Sequence, residues 1–214
     1  GPLLLRRLAT RAGPVDLAEK LKPGCFLSTG HRGARGLAPE NTLLGFRCGQ
    51  SHNVDIIEFD VQATRDGEIV VIHDPTVDRT TEGQGAVADK TLAELQTLDA
   101  GYRFTSDDGK SFPFRGKGAQ IPLLSEVLQE FPELLFTIEL KESPHPDFIQ
   151  NVAAVVREHA ADRSILASFE HRLLRAIRKT APELTTSFSG SEIRNYYVLA
   201  KLGLAGLLFT SPAM

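Results

Sequence analysis

The sequence predicts an α/β domain built on a parallel sheet, either closed into a barrel or left open and doubly wound. Two observations carry this expectation. From Cys25 onward, short apolar strand segments alternate with segments of helical period, the rhythm of strand–helix–strand crossovers. Two of those strands also divide cleanly into an apolar face and a face bearing carboxylates. With 214 residues, 42% of them apolar, the chain can bury one sizeable core, which suits a single domain over 25–214 behind an N-terminal segment at 1–24.

Taken in order, Gly1-Pro2 resembles a processing scar. Leu3-Leu4-Leu5-Arg6-Arg7 is too short for a signal peptide or a spanning helix and is read as part of an amphipathic first helix. Strands are expected at 25–30, 56–62, 69–73, 135–140, 164–168, 184–188 and 206–209. Helices are expected at 42–50, 125–131, 147–160, 170–180 and 192–202, with a short helical piece at 91–98. Arg65-Asp66-Gly67-Glu68 is a tight turn that joins two strands without a helix. The stretch at about 75–120 is rich in Gly, Asp and Thr and reads as a functional loop or an inserted subdomain after the third strand. Seven strand segments fall one short of the eight a (β/α) barrel needs, so the barrel reads as C-terminally incomplete.

Composition removes several function classes. A formal net charge of -3 gives no electrostatic footprint for nucleic acid or an anionic membrane. Cys25 and Cys48 form neither a disulfide framework nor a zinc motif. There is no GxGxxG or P-loop pattern to support a nucleotide binder. No stretch is long and apolar enough to cross a bilayer, and a cytoplasmic location is favoured over a periplasmic or membrane-associated one.

Residues two apart on a strand share a face. In 56–62 one face carries Glu58, Asp60 and Gln62, the other Ile57, Phe59 and Val61; in 136–141, Thr137, Glu139 and Lys141 oppose Ile138 and Leu140. Uncompensated carboxylates turned away from the helices are expensive, and a cation is their simplest partner. Glu58, Asp60 and Glu139 therefore form a candidate oxygen-ligand set for Mg²⁺, Ca²⁺ or Mn²⁺. The alternative makes Glu139 and Lys141 a plain ion pair and Glu58 and Asp60 a solvated edge.

The histidines tip that balance. His31 and His73 each end a β-rich run and precede a loop, where barrel enzymes keep their chemistry. Such a pair suits proton transfer near neutral pH. Around His31, Arg32 offers a planar fork for phosphate oxygens, Gly33 permits close backbone approach, and Glu40 can orient Arg32. Asn41 is expected to cap the following helix, whose start supplies N–H groups to an anion. Lys141, one step beyond Glu139, is placed to hold a phosphate oxygen. The expected ligand is thus a small-molecule phosphodiester.

Five segments in this order, His31-Arg32-Gly33, Pro39-Glu40-Asn41-Thr42, Glu58-Phe59-Asp60-Val61, His73-Asp74 and Glu139-Leu140-Lys141, resemble the glycerophosphodiester phosphodiesterase family. Asp78-Arg79-Thr80-Thr81 with Gly83 and Gly85 is similar to that family's insertion. The resemblance implies a TIM-type barrel that hydrolyses glycerophosphodiesters to glycerol 3-phosphate and an alcohol. It implies His31 and His73 as the acid/base pair, Glu58, Asp60 and Glu139 as holders of the divalent cation, and Arg32 and Lys141 as phosphate ligands. The family's tryptophan-bearing strand and later Gly-rich strand have no counterpart here; the chain has no Trp.

Two rival functions follow. A lysophospholipase D would use the same site on a lysolipid, with Tyr102, Phe104, Phe112 and Phe114 as a lipid-accepting lid; those aromatics otherwise form a cluster within the insertion. A non-catalytic barrel binding a phosphate ligand is the rival from another class.

Overall fold

A computed structural model describes residues 26–203. Five strands form one sheet: β1 (Thr29–His31), β2 (Ile56–Ala63), β3 (Ile69–Val71), β4 (Leu135–Leu140) and β5 (Ser164–Ala167). The order β1-β2-β4-β5 is parallel throughout, while β3 runs antiparallel to β2. Among the described residues six α-helices accompany them: α1 (Leu43–Ser51), α2 (Leu92–Gln96), α3 (Leu124–Glu130), α4 (Phe148–His159), α5 (His171–Thr180) and α6 (Gly190–Lys201). A 3₁₀ turn at Val87–Asp89 precedes α2.

The periodicities account for what is buried. Ile57, Phe59 and Val61 of β2, and Phe136, Ile138 and Leu140 of β4, are at most 1% exposed. They meet Phe148, Val152, Ala153 and Val156 of α4 in the main core. Phe59 lies 5.5 Å from Phe46 of α1 and 5.6 Å from Phe136, centroid to centroid, in tilted and edge-on pairs. Each such ring contributes about 1.5–3 kcal/mol by leaving water. Arg163 closes the lower end of this core. Its guanidinium donates to the carbonyls of Leu128, Phe131, Leu134 and His159 while lying 5.0 Å over the Phe136 ring.

The tight turn expected at 65–68 is present and joins β2 to β3 without a helix. Thr64 and Glu68 close the hairpin, with Gly67 at φ 84 permitting the left-handed step, and β3 returns down the edge of β2. What differs from expectation is the direction of His73, which follows an antiparallel strand and not the end of a parallel barrel strand on the same side as β1. Since β4 occupies the other edge of β2 along 56–61, β1 and β3 share one edge. They approach each other from opposite directions: His31 pairs with Glu58, and Ile72 N–H donates to the Asp60 carbonyl. The two histidine-bearing ends therefore meet beside residues 58–60.

Residues 184–188, expected as a strand, make a single parallel bridge from Thr186 to Leu166. The expected strand at 206–209 and the expected N-terminal helix lie outside the described residues. Between β3 and α3, a second apolar cluster formed by Val77, Val87, Leu95, Ala100 and Ile121 with Val70 and Ile72 supports the stretch from 75 to 121. No described helix is long and apolar enough to cross a membrane.

Candidate active site

Register assembles the carboxylates. Parallel pairing sets Asp60 opposite Glu139 and Glu58 opposite Thr137, all on the face turned away from the main core. One carboxylate oxygen from each of Glu58, Asp60 and Glu139 lies within 4.8 Å of the others, a grouping able to hold a metal ion. Lys141 Nζ stands 2.7 Å from Glu139 Oε1 and 3.0 Å from Asp60 Oδ1. The Lys141–Asp60 approach is a charge contact, and Asp60 Oδ1 is otherwise buried without a hydrogen-bond partner. Burial, reinforced by the Asp60 and Glu139 charges, pushes the Glu58 carboxyl up to about 7. Burial opposes the charge on Lys141, but Glu139 and Asp60 outweigh it and raise its pKa.

The residues fit a hard divalent cation. Three carboxylates of which two are half-buried and one fully buried, an unbonded oxygen on Asp60, and a carboxyl strained toward neutrality together form a donor set that such an ion would satisfy.

The His31 turn is built for proximity. Arg32 adopts φ 50, outside the usual range for a side-chain-bearing residue. That conformation turns its N–H to Glu58 Oε2 at 3.0 Å and its carbonyl to Asn41 N–H at 3.1 Å. Gly33 follows at φ 86 against α1; a Cβ there would lie 2.7 Å from the Phe46 ring and 2.8 Å from the Gly45 carbonyl carbon. Its absent side chain thus serves helix packing, whereas the sequence suggested approach to a ligand. His31 Nε2 lies 3.7 Å from Glu58 Oε2, and burial followed by Arg32 and Arg35 lowers its pKa.

The helix start also differs from expectation. Thr42, not Asn41, caps α1: its hydroxyl accepts from Gly45 N–H at 3.0 Å and donates to the Pro39 carbonyl at 2.7 Å. Asn41, at φ 54, is freed from capping and donates from Nδ2 to Asp60 Oδ2 at 3.0 Å. Arg32 Nη1 donates to Glu40 Oε1 at 2.9 Å, and its Nε lies 3.5 Å from Asp60 Oδ2. The expected Glu40–Arg32 pairing is therefore present, with one arm of the arginine fork committed to it.

His73 is held by two groups that received no role from the sequence. Its Nδ1 lies 2.6 Å from Asp74 Oδ1. Gln62 Nε2, on the face of β2 shared with Glu58 and Asp60, reaches the carbonyls of Ile72, His73 and Asp74. Strand parity located Gln62 but not its partners, because the returning β3 supplies them. Arg79, noted only within the insertion, bonds both Asp74 and Glu40. The other described histidines serve local structure: His52 Nδ1 sits 2.8 Å from the Cys48 carbonyl and His171 Nδ1 3.0 Å from Ser189 Oγ.

Two surfaces flank this centre. Phe169, Phe188 and Ile193 line an apolar groove that includes Glu58, Thr137 and Glu139. The insertion's aromatics are engaged with each other: Phe104 and Phe114 pack edge-on at 5.2 Å, and the Arg115 guanidinium lies 4.1 Å from the Tyr102 ring and 4.0 Å from Phe112.

A match to the glycerophosphoryl diester phosphodiesterase family covers residues 31–205. A glycerophosphodiester phosphodiesterase from Caldanaerobacter subterraneus subsp. tengcongensis is 41% identical over 159 residues, covering 72% of this chain and 62% of that protein. This chain thus spans under two thirds of that relative's length. Among solved structures, the glycerophosphoryl diester phosphodiesterase domain of a Mycobacterium tuberculosis protein superposes with TM-score 0.75 at 27% identity, over 83% of this chain and 65% of that one. An Oleispira antarctica phosphodiesterase in complex with the product sn-glycerol-3-phosphate superposes with TM-score 0.68 at 26% identity, over 82% of this chain and 72% of that one. The expected α/β fold with a mainly parallel sheet and the expected kinship are both borne out: the chain belongs to the glycerophosphoryl diester phosphodiesterase family.

Proposed function

We propose that this chain hydrolyses glycerophosphodiesters to glycerol 3-phosphate and an alcohol, with His31 and His73 as the acid/base pair and a divalent cation held by Glu58, Asp60 and Glu139. The observation that carries the reading is the meeting of two histidine-bearing strand ends beside a three-carboxylate cluster. The relative crystallised with glycerol 3-phosphate supports the product. Mg²⁺, Ca²⁺ or Mn²⁺ each suits an all-oxygen set.

When bound, the cation supplies charge stabilisation to a nonbridging phosphate oxygen. Lys141, anchored on Glu139 and beside Asp60, adds positive charge at the outer edge of the cluster. Arg32, oriented by Glu40, adds a second on the His31 side, and Asn41 fixes Asp60 from below. These groups are in place before charge develops, which is where such stabilisation is worth most. His31 and His73 divide the proton transfers, one drawing a proton from the nucleophile and the other returning one to the leaving alkoxide.

The test is release of glycerol 3-phosphate from glycerophosphodiesters after EDTA treatment and after divalent metal is restored. Metal-restored release that is abolished in Glu58→Ala supports the reading. Absence of release from folded, metal-bound protein refutes it in favour of a phosphate-binding barrel. A second reading, cleavage of a lysolipid, would place part of an acyl chain against the apolar groove of Phe169, Phe188 and Ile193 beside Glu58 and Glu139. A higher kcat/KM on lysophosphatidylcholine than on glycerophosphocholine selects it.

A further inference from the structure

The loop after His73 carries an arginine with an unusual set of partners. Arg79 Nη1 and Nη2 fork onto Glu40 Oε2 and Oε1 at 2.9 and 2.7 Å. The same guanidinium reaches Asp74 through Nε, 2.5 Å from Oδ2, and Nη2, 3.3 Å from Oδ1. Each carboxylate already serves another site residue: Asp74 bonds His73 Nδ1, and Glu40 bonds Arg32 Nη1. One planar group thus joins the His73 arm of the site to the Arg32 arm.

The surrounding chain is braced to hold it there. Thr76 bridges to Ala86, Val77 N–H donates to the Gly85 carbonyl, and Asp78 accepts from Gly85 N–H. Thr81 bonds back to the Val77 carbonyl and receives Arg103 at its own. Val77 and Val87, flanking this turn, are fully buried in the second apolar cluster. The segment from 75 to 121 therefore delivers Arg79 to the site from a cluster of its own.

We propose that Arg79 is a positioning residue: it clamps Asp74 and Glu40 together so that His73 keeps one tautomer and Arg32 one pose. The proposal rests on the hydrolytic reading only for its effect on turnover. Burial opposes ionisation of both carboxylates, yet Arg79, with Arg32 at Glu40 and His73 at Asp74, holds both below the ordinary range. An ionised Asp74 only accepts hydrogen bonds, so the hydrogen of neutral His73 lies on Nδ1 and Nε2 is left free for proton transfer. A lysine in this place has a charge but no fork, and cannot hold two carboxylates in one plane. Arg79 is itself 47% exposed, and an isolated exposed ion pair contributes little. What separates a clamp from such a pair is whether His73 responds when Arg79 is removed.

The experiment uses the whole chain labelled with ¹⁵N-histidine, with His73→Gln identifying the His73 imidazole signals. Wild type is expected to show the well-separated nitrogen shifts of a fixed Nδ1–H tautomer. In Arg79→Gln the two shifts should draw together as tautomers mix, and in Arg79→Lys partly so, with the circular dichroism spectrum retained. Arg115→Gln disturbs the same insertion away from the clamp and should leave His73 as in wild type. In parallel, kcat for glycerol 3-phosphate release should fall roughly 10–100-fold in Arg79→Gln, the range seen when partners behind a functional side chain are removed. In Arg79→Ala, added guanidinium should restore part of it. An unchanged His73 pattern in Arg79→Gln and Arg79→Lys, or an equal change in Arg115→Gln, overturns the proposal. If wild type releases no product while His73 still responds to Arg79, the hydrolytic reading fails and the clamp stands.

Discussion

Replacing Glu58 by Gln should make the metal-free protein more stable and the metal-loaded protein less so. Glu58 is pushed up to about 7 by burial and by Asp60 and Glu139, against an ordinary value near 4.5. A carboxyl raised in the folded state imposes no penalty below pH 4.5, where both folded and unfolded chains hold the proton. The penalty grows from pH 4.5 to 7, where the unfolded chain ionises first, and is complete above 7. At about 1.4 kcal/mol per pH unit, that interval corresponds to ~3.5 kcal/mol, reduced to on the order of 2 kcal/mol because the side chain keeps 16% exposure to screening solvent. Gln keeps an oxygen to accept the Arg32 N–H and removes the charge. In EDTA at pH 8, Glu58→Gln should therefore gain on the order of 2 kcal/mol in urea unfolding, and at pH 4.5 little. With divalent cation at a hundredfold excess over its Kd, wild type should gain about 2.7 kcal/mol and the variant much less. The same stability for both proteins at pH 8 in EDTA, or an equal gain from metal, would refute the reasoning.

Further predictions bear on particular contacts. His31→Ala and His73→Ala should each lower turnover by roughly 10²–10⁴-fold with the melting temperature little changed; steady-state kinetics beside a thermal melt checks both. Gly33→Ala, at φ 86 and overlapping Gly45 and Phe46, should cost about 2–4 kcal/mol in denaturant unfolding. Arg163→Ala strips four carbonyls of their shared donor and should cost about 2–4 kcal/mol, with Arg163→Lys recovering little of it. Arg178, with the Ser189 N–H and hydroxyl, lowers Glu192 at the start of α6 to about 2. Its contribution is present above pH 4.5 and lost as pH falls toward 2, so the helical chemical shifts of α6 should weaken over that range in wild type and not in Glu192→Gln.

Much of the site was legible because strand parity is local. Glu58, Asp60 and Gln62 share a face for the same reason that Ile57, Phe59 and Val61 do, and the burial of the latter three follows from it. Helices were placed within two residues of their bounds, since their apolar period is also local. Partner choice is not. Asn41 and Thr42 are both good caps, and only the hydroxyl's reach to Gly45 and Pro39 decides for Thr42. That decision frees Asn41 for Asp60. The turn at 65–68 announced a strand pair, but not that the second strand would share an edge with β1. Arg79 and Glu40 lie 39 residues apart, beyond any periodicity. The antiparallel return governs the last two cases: because β3 runs against β2 on the edge that also carries β1, His73 comes down toward residues 58–60 while His31 comes up to them. Reversal brings His73 back to Asp60, beside Gln62, and carries Asp74 and Arg79 with it. The hairpin is therefore the structural step that brings the two histidine-bearing strand ends together, and it carries the first residues of the insertion to the same place.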